Sequence, residues 1–453
     1  MFLGRLFMCA ALLAAAAALW AGEYLASDFA VLDSDVLKGG GADDTAALQA
    51  VLDKALDGEK VTLVMDGAAL ITGLIIHDNT TVKCINPSCG FYLADGAGNA
   101  LFRNGRASFT APPEKRNRNI SFIGGTYNHN AANQEHTVPS KPDEKTIYTD
   151  LQGNPSALKD VKCLELYGVE NLLIKDVTIR NQTTFALLLA NFERAAIENV
   201  DVILDDYKYA NNQDGLHFWG PGRFLTLRNI RGSSGDDFIA LAPDERDGVS
   251  SITDVAIDGV ALDNADQGIR LLCRGKGRLD RVLIKNVTGA FRGLGFIVTP
   301  WMEGEGGNYG SIIFDTIDLV CDRKQYDPDP VLFRVAGNVE SLTIKNVHYH
   351  GRLAHDLLQL GGSYTGDGPA EGSMPSRIGQ LYLEDVYIRG DENVHDYIKV
   401  RGEVESLFVR NVQITGCRPE SGFIEKAYPQ SRINDLRING FLSDSVSLWA
   451  APR

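Results

Sequence analysis

The sequence predicts an all-β fold: a single-stranded, right-handed parallel β-helix, closed at its N-terminal end by a capping helix. Three observations predict it. A short motif recurs ten times at nearly constant spacing. The segments between its copies alternate apolar and polar residues and carry no helical stripe. One amphipathic helix stands ahead of the first repeat.

The N-terminus is set aside first. Arg5 supplies a positive charge, Leu12 to Leu19 is a short apolar core, and small residues follow at Ala21 and Gly22, where a signal peptidase could cut. The run is short for a membrane span, and Cys9 precedes the core rather than following it, unlike a lipoprotein. Residues 1–22 therefore read as a cleaved signal and 23–453 as one β-helix domain, secreted or periplasmic. Next, Asp43 and Asp44 are placed to cap a helix carrying Leu48, Val51, Leu52 and Ala55 at i, i+3, i+4, i+7 spacing. Such a helix would cover the open strand edges of the first coil.

The repeat decides the fold. Its copies read Ile174-Lys175-Asp176-Val177, Ile197-Glu198-Asn199-Val200, Leu227-Arg228-Asn229-Ile230 and Ile257-Asp258-Gly259-Val260. Six more are centred on Asn286, Thr316, Asn346, Asp385, Asn411 and Gly440, and an earlier member lies near Ile123. Successive third positions are 23, 30, 30, 27, 30, 30, 39, 26 and 29 residues apart. One such unit cannot bury its apolar face, but units stacked in register bury it continuously. The recurrent Asn suits a left-handed bend and can hydrogen-bond along a ladder of its own kind. Ten to twelve coils are expected. The polar stretch 128–160 departs from the repeat and reads as a long excursion from one coil.

The composition narrows the partners. A formal charge of −15 argues against nucleic acid. Cysteines 84, 89, 163, 273, 321 and 417 are sparse and lack metal-ligand spacing, so neither a metal nor a cofactor is expected. Cys84 and Cys89 could pair or stay as buried thiols.

Stacking turns similar strands into columns. Asp214-Gly215-Leu216-His217, Asp236-Asp237-Phe238-Ile239, Gln267-Gly268-Ile269-Arg270 and Leu294-Gly295-Phe296-Ile297 align as four consecutive coils. In this alignment Asp214 lies under Asp236, Asp237 sits beside Gly215, and His217 and Arg270 share a column two coils apart. Strands stack about 4.8 Å apart, so the five side chains converge. Three adjoining carboxylates resist joint ionisation, an arrangement with little structural merit. A glycosidase benefits from it, because one carboxyl must stay protonated while another is ionised. Solvated strand ends and a calcium site are the competing readings. Tyr207, Tyr209, Trp219, Trp301 and Tyr309 are candidates for a sugar-stacking platform, and Arg274, Lys276 and Arg278 form a basic run.

Asn212-Gln213-Asp214-Gly215, Gly235-Asp236-Asp237 and Gly268-Ile269-Arg270 resemble the Asn-x-Asp, Gly-Asp-Asp and Arg-x-Lys motifs of the polygalacturonase-like proteins, glycoside hydrolase family 28, within the pectin lyase-like β-helix superfamily. The opening Gly41-Ala42-Asp43-Asp44-Thr45 is similar to the start of many pectin-active β-helix proteins. The resemblance implies a secreted, inverting hydrolase of a pectin-related or other plant or algal polysaccharide. It implies Asp236 as general acid and Asp214 and Asp237 holding and activating water, with Asn212 and Arg270 at the substrate; His217, by its place in the column, is expected there as well. The family's Gly-His-Gly has no counterpart here. Leu272 replaces the lysine after the arginine, and His217 stands where the family carries another acid. Weak action on unmodified polygalacturonate follows, unless Lys141 or Lys145 of the excursion replaces that lysine. The alternatives are a β-helix lyase or epimerase and a non-catalytic carbohydrate-binding or adhesin β-helix. In every case the expected partner is a polysaccharide or oligosaccharide, without a membrane once the signal is removed, bound by a monomer.

Overall fold

The computed structural model describes residues 21–106, 108–134, 136–137, 148–149, 155–158, 160–205, 212–300, 307–321, 330–351, 356–361, 376–390, 396–416, 422–429, 431–443 and 447–449. The chain winds as a right-handed parallel β-helix in which 26 strands form one continuous sheet system. One column of fourteen strands runs in parallel register from Ala21–Leu25 to Arg432–Ser443. It exceeds the ten to twelve coils expected because the coils holding Lys60–Met65 and Thr80–Cys84 lack the Asn motif.

The motif residues make the bends. All ten third positions, from Asp176 to Gly440, have positive φ, between 50° and 86°. Gly124, the earlier member near Ile123, has φ 71°. Asn and Gly reach this region with little steric cost. Their side chains also form the ladder. Asn199 donates to Asp176 at 2.7 Å, Asn229 to Asn199 at 3.0 Å, and Asn411 to Asp385 at 2.8 Å. A second left-handed column contains Asn79, Asn119, Asn171, Arg194, Phe224, Asp254 and Arg281, a mixture of types that hides it from a sequence search.

Between bends, inward residues stack into a continuous core of Leu, Ile, Val and Phe. Phe296 lies flat on Phe333 at 4.8 Å, with Phe314 packed on both. The first open coil is covered by α1 (Thr45–Leu52), which buries Leu48, Val51 and Leu52; Ala55 follows in a 3-10 turn. The two capping aspartates divide their work. Asp43 accepts the Thr45 N–H at 2.9 Å, whereas the Asp44 carboxylate turns away and accepts from the Val31 and Leu32 N–H groups. Asp44 therefore ties the preceding segment to the helix start instead of capping it.

Cys84 and Cys89 are separate buried thiols, and burial pushes the Cys84 thiol up to about 12. Within 128–160, His136–Thr137, Tyr148–Thr149 and Pro155–Leu158 form a small antiparallel sheet. Residues 1–20, Lys141, Lys145, Tyr207, Tyr209, Trp301 and Cys417 lie outside the described residues. No described helix is long and apolar enough to cross a membrane.

Five strands carry the candidate site: β1 (Leu187–Ile203), β2 (Leu216–Gly232), β3 (Asp237–Ala242), β4 (Ile252–Leu271) and β5 (Arg278–Val298). Their register corrects one expectation. Leu216 pairs with Ile239, which places Asp214 level with Asp237 rather than with Asp236. The core decides this. Ile239 and Leu241 continue the inward rows of Leu216 with Phe218 and Ile269 with Leu271, and a one-residue slip would turn both outward. His217, Ala240 and Arg270 nevertheless share one column, so His217 and Arg270 stand two coils apart.

Candidate active site

The column brings the three aspartates together from successive coils. Asp214 lies two residues ahead of β2, Asp237 heads β3, and Asp236 occupies the turn before β3. Carboxylate oxygens of all three lie within 4.8 Å of one another. Gly215 allows the close stacking: a Cβ there would stand 2.3 Å from the Phe238 carbonyl oxygen. Asp214 and Asp237 are buried, while Asp236 keeps partial access to solvent.

Each carboxylate has its own partners. Asp236 accepts the Asn212 backbone N–H at 3.0 Å and the Gln267 side-chain amide at 2.7 Å. Asn212 is exposed and adopts a left-handed conformation, φ 57°, which aims its N–H at Asp236. Asp237 faces the buried guanidinium of Arg270 at 3.3 Å. Asp214 lies 2.6 Å from Nδ1 of His217.

His217 is enclosed. Its Nε2 meets the Glu245 carboxylate at 2.8 Å, and Phe185 stacks on the ring at 4.2 Å, nearly parallel. Glu245 also accepts from the Trp219 indole at 2.9 Å and from Arg274 at 2.8 Å. Sequence reasoning missed Glu245 and Phe185. Glu245 lies in a charged turn, Asp244-Glu245-Arg246-Asp247, directly after β3, and that placement was the available signal. Trp219 stands beside the cluster, packed near Phe185 and Tyr167. Tyr309, a platform candidate, is instead fully buried and donates its hydroxyl to the Leu271 carbonyl. Its size and apolar ring fill the core between coils. Arg278 of the basic run pairs with Glu340 away from the cluster.

The electrostatics follow from burial and charge. Burial, reinforced by Asp214, raises Asp236 to about 6. Burial drives Asp237 well above the ordinary carboxylate range, with Arg270 opposing it. Asp214 is also raised by burial, and His217 pulls it back. For His217, burial works against the charged ring, yet hydrogen bonds to Asp214 and Glu245 outweigh it and lift the group to about 9. Glu245 is raised by burial but held down to about 2 by His217, Arg274 and Trp219.

The charge count is informative. Arg274 balances Glu245, leaving two cations, His217 and Arg270, against three aspartates. Neutrality is reached when the trio keeps one proton. That leaves one acid and ionised carboxylates in a single small patch, the pairing acid–base chemistry requires. Among the described residues the trio is also the one carboxylate set close enough to bridge a divalent cation. With two countercharges already beside it, we read it as holding a proton.

No protein-family profile matches the chain, and no curated protein matches it. Among solved structures, the surface adhesin PfbA of Streptococcus pneumoniae aligns at TM-score 0.54 and 15% identity, covering 90% of this chain and 93% of that one. A tailspike protein of E. coli bacteriophage HK620 aligns at TM-score 0.54 and 10% identity, covering 88% and 75%. An exopolygalacturonase from Thermotoga maritima aligns at TM-score 0.47 and 11% identity, covering 92% of each chain. At these identities the likeness is one of fold.

Proposed function

We propose that the chain is an exported glycoside hydrolase that cleaves glycosidic bonds in a pectin-related or other plant or algal polysaccharide. The observation that carries the reading is the trio with its two cations, one aspartate of which is open to the surface. Asp236, the aspartate open to solvent and raised to about 6, serves as general acid, as the family resemblance implies, while the more strongly raised Asp237 lies buried against Arg270. Its proton goes to the bridging oxygen as the bond from that oxygen to the anomeric carbon breaks, the electron pair staying on the oxygen. Asp214 takes a proton from the water that attacks the anomeric carbon, and Asp237, held by Arg270, orients that water. His217 acts through Asp214 and not on the sugar, since both ring nitrogens already face carboxylates.

The family resemblance implies inversion. Inverting pairs usually stand about 6.5–9.5 Å apart, and this trio is closer, at 4.8 Å or less between oxygens. The anomeric configuration of the first product, followed by proton NMR, is therefore a direct test of stereochemistry. The catalytic test is a panel of polysaccharides with wild type, Asp214→Asn and Asp236→Asn. Each substitution is expected to lower kcat by about 10²–10⁴-fold while the circular dichroism of the folded protein is retained, since each removes proton transfer without changing side-chain volume. Near-normal turnover by either variant removes that residue from the mechanism. Products with unsaturated, near-ultraviolet-absorbing ends in place of plain reducing ends would make the protein a lyase.

A further inference from the structure

We propose that Glu245 is a positioning residue: it holds His217 as an imidazolium, which in turn holds Asp214 as an ionised member of the trio. The assignment of Asp214 as base rests on the hydrolase reading; the charge state of His217 does not.

The geometry carries the argument. An ionised carboxylate only accepts hydrogen bonds; with Glu245 ionised at 2.8 Å and Asp214 ionised at 2.6 Å, the ring donates from both nitrogens. Only the imidazolium does so. Phe185 against the ring face and the Trp219 indole on the same Glu245 oxygen leave the ring a single orientation. Glu245 is itself fixed by Arg274 on its other oxygen. The chain of contacts therefore runs Arg274, Glu245, His217, Asp214, ending on the trio.

The charged groups that face His217 are Asp214 ahead of its own strand and Glu245 in the turn after β3. Asp236 and Asp237 on the next coil also feel its charge, and Arg270 lies one coil further. Arg270 offsets Asp237. Without the second cation the trio would keep a second proton at neutral pH, and the base would be lost. Glu245 thereby sets the pH range in which one acid and one base coexist.

The test begins with the folded protein and no substrate. Side-chain ¹⁵N NMR of His217, assigned by comparison with His217→Gln, is followed from neutral to alkaline pH in wild type, Glu245→Gln and Glu245→Asp. Wild type should show an imidazolium at neutral pH. Glu245→Gln should lower the titration midpoint by about one unit, roughly tenfold in proton affinity, and Glu245→Asp should restore most of it. A neutral His217 in wild type, or a midpoint unmoved in Glu245→Gln, overturns the proposal. If Glu245→Gln fails to fold, the wild-type midpoint decides: a value at or below that of ordinary imidazole overturns it.

On a polysaccharide that the enzyme hydrolyses, Glu245→Gln should move the acidic limb of kcat/KM upward by about one unit with little change in KM, because that limb reports the base. A uniform loss with an unmoved limb would mark Glu245 as merely structural. If no polysaccharide is cleaved while His217 titrates as expected, the hydrolase reading falls and the charge relay stands.

Discussion

At the scale of single residues, the site depends on who neighbours whom, and sequence reveals that unevenly. Asp214, Asp236, Asp237 and Arg270 were legible because acidic and basic side chains at strand ends recur at coil spacing. Glu245 was not: its turn carries four charges in a row, Asp244 to Asp247, and such a turn reads as solvated. Only the fold shows that one of the four points back to His217. A second residue, Leu272, bears on substrate choice. It lies two positions beyond Arg270, just past the end of β4, and is a buried apolar residue. Arg270 is itself buried against Asp237, so with leucine in place of the lysine a sugar carboxylate forgoes a charged hydrogen bond worth about 1.5–3 kcal/mol, or about ten- to a hundredfold in preference. Unmodified polygalacturonate should accordingly be a poor substrate beside neutral or methyl-esterified glycans. Parallel reducing-end assays check this, and robust cleavage of the acid polymer would refute it.

At the scale of elements, the bends of the repeated motif were the most legible part of the chain, because backbone conformation there favours Asn, Asp and Gly, whereas the second column of bends, with Arg194, Phe224 and Arg281, was not. The exception in the motif's own column is Thr316, a β-branched residue held at φ 61°. Left-handed backbone costs an ordinary L-residue about 1–2 kcal/mol, and less for Asn. Thr316→Asn is thus expected to stabilise the protein by about 1 kcal/mol, read as a higher midpoint in thermal or urea unfolding; a lower midpoint would show that the column tolerates Thr without strain. The strands were less legible than the bends. Asp236-Asp237-Phe238-Ile239 admits two alignments with the coil below, and matching the first aspartates chose the wrong one. The inward row Ile239 and Leu241 contains the correct answer, since burial fixes register more strongly than polar resemblance.

At the scale of the whole molecule, a stack of coils must end somewhere, and here α1 ends it. The helix packs on Lys60–Met65 and Leu74–Ile76, covering apolar residues and strand edges of the first coils. Deleting residues 23–57 should leave the trio's coils intact but expose that end to edge-to-edge pairing. Light scattering should then show association at concentrations where the full protein stays dispersed; a monodisperse truncated protein would contradict the capping role. The coil lengths carry a further consequence. Neighbouring bends lie between 23 and 39 residues apart, yet Ile344 still pairs with Leu383 across the longest interval. The surplus falls between Gly351 and Arg377, around Asp356–Leu360, which extends the same row of strands as β3 and β5. Doubling a connection costs only about 0.6 kcal/mol in closure entropy. A lineage built on this chassis can therefore lengthen or trim the connections between coils by insertion and deletion while the supporting spiral is inherited unchanged.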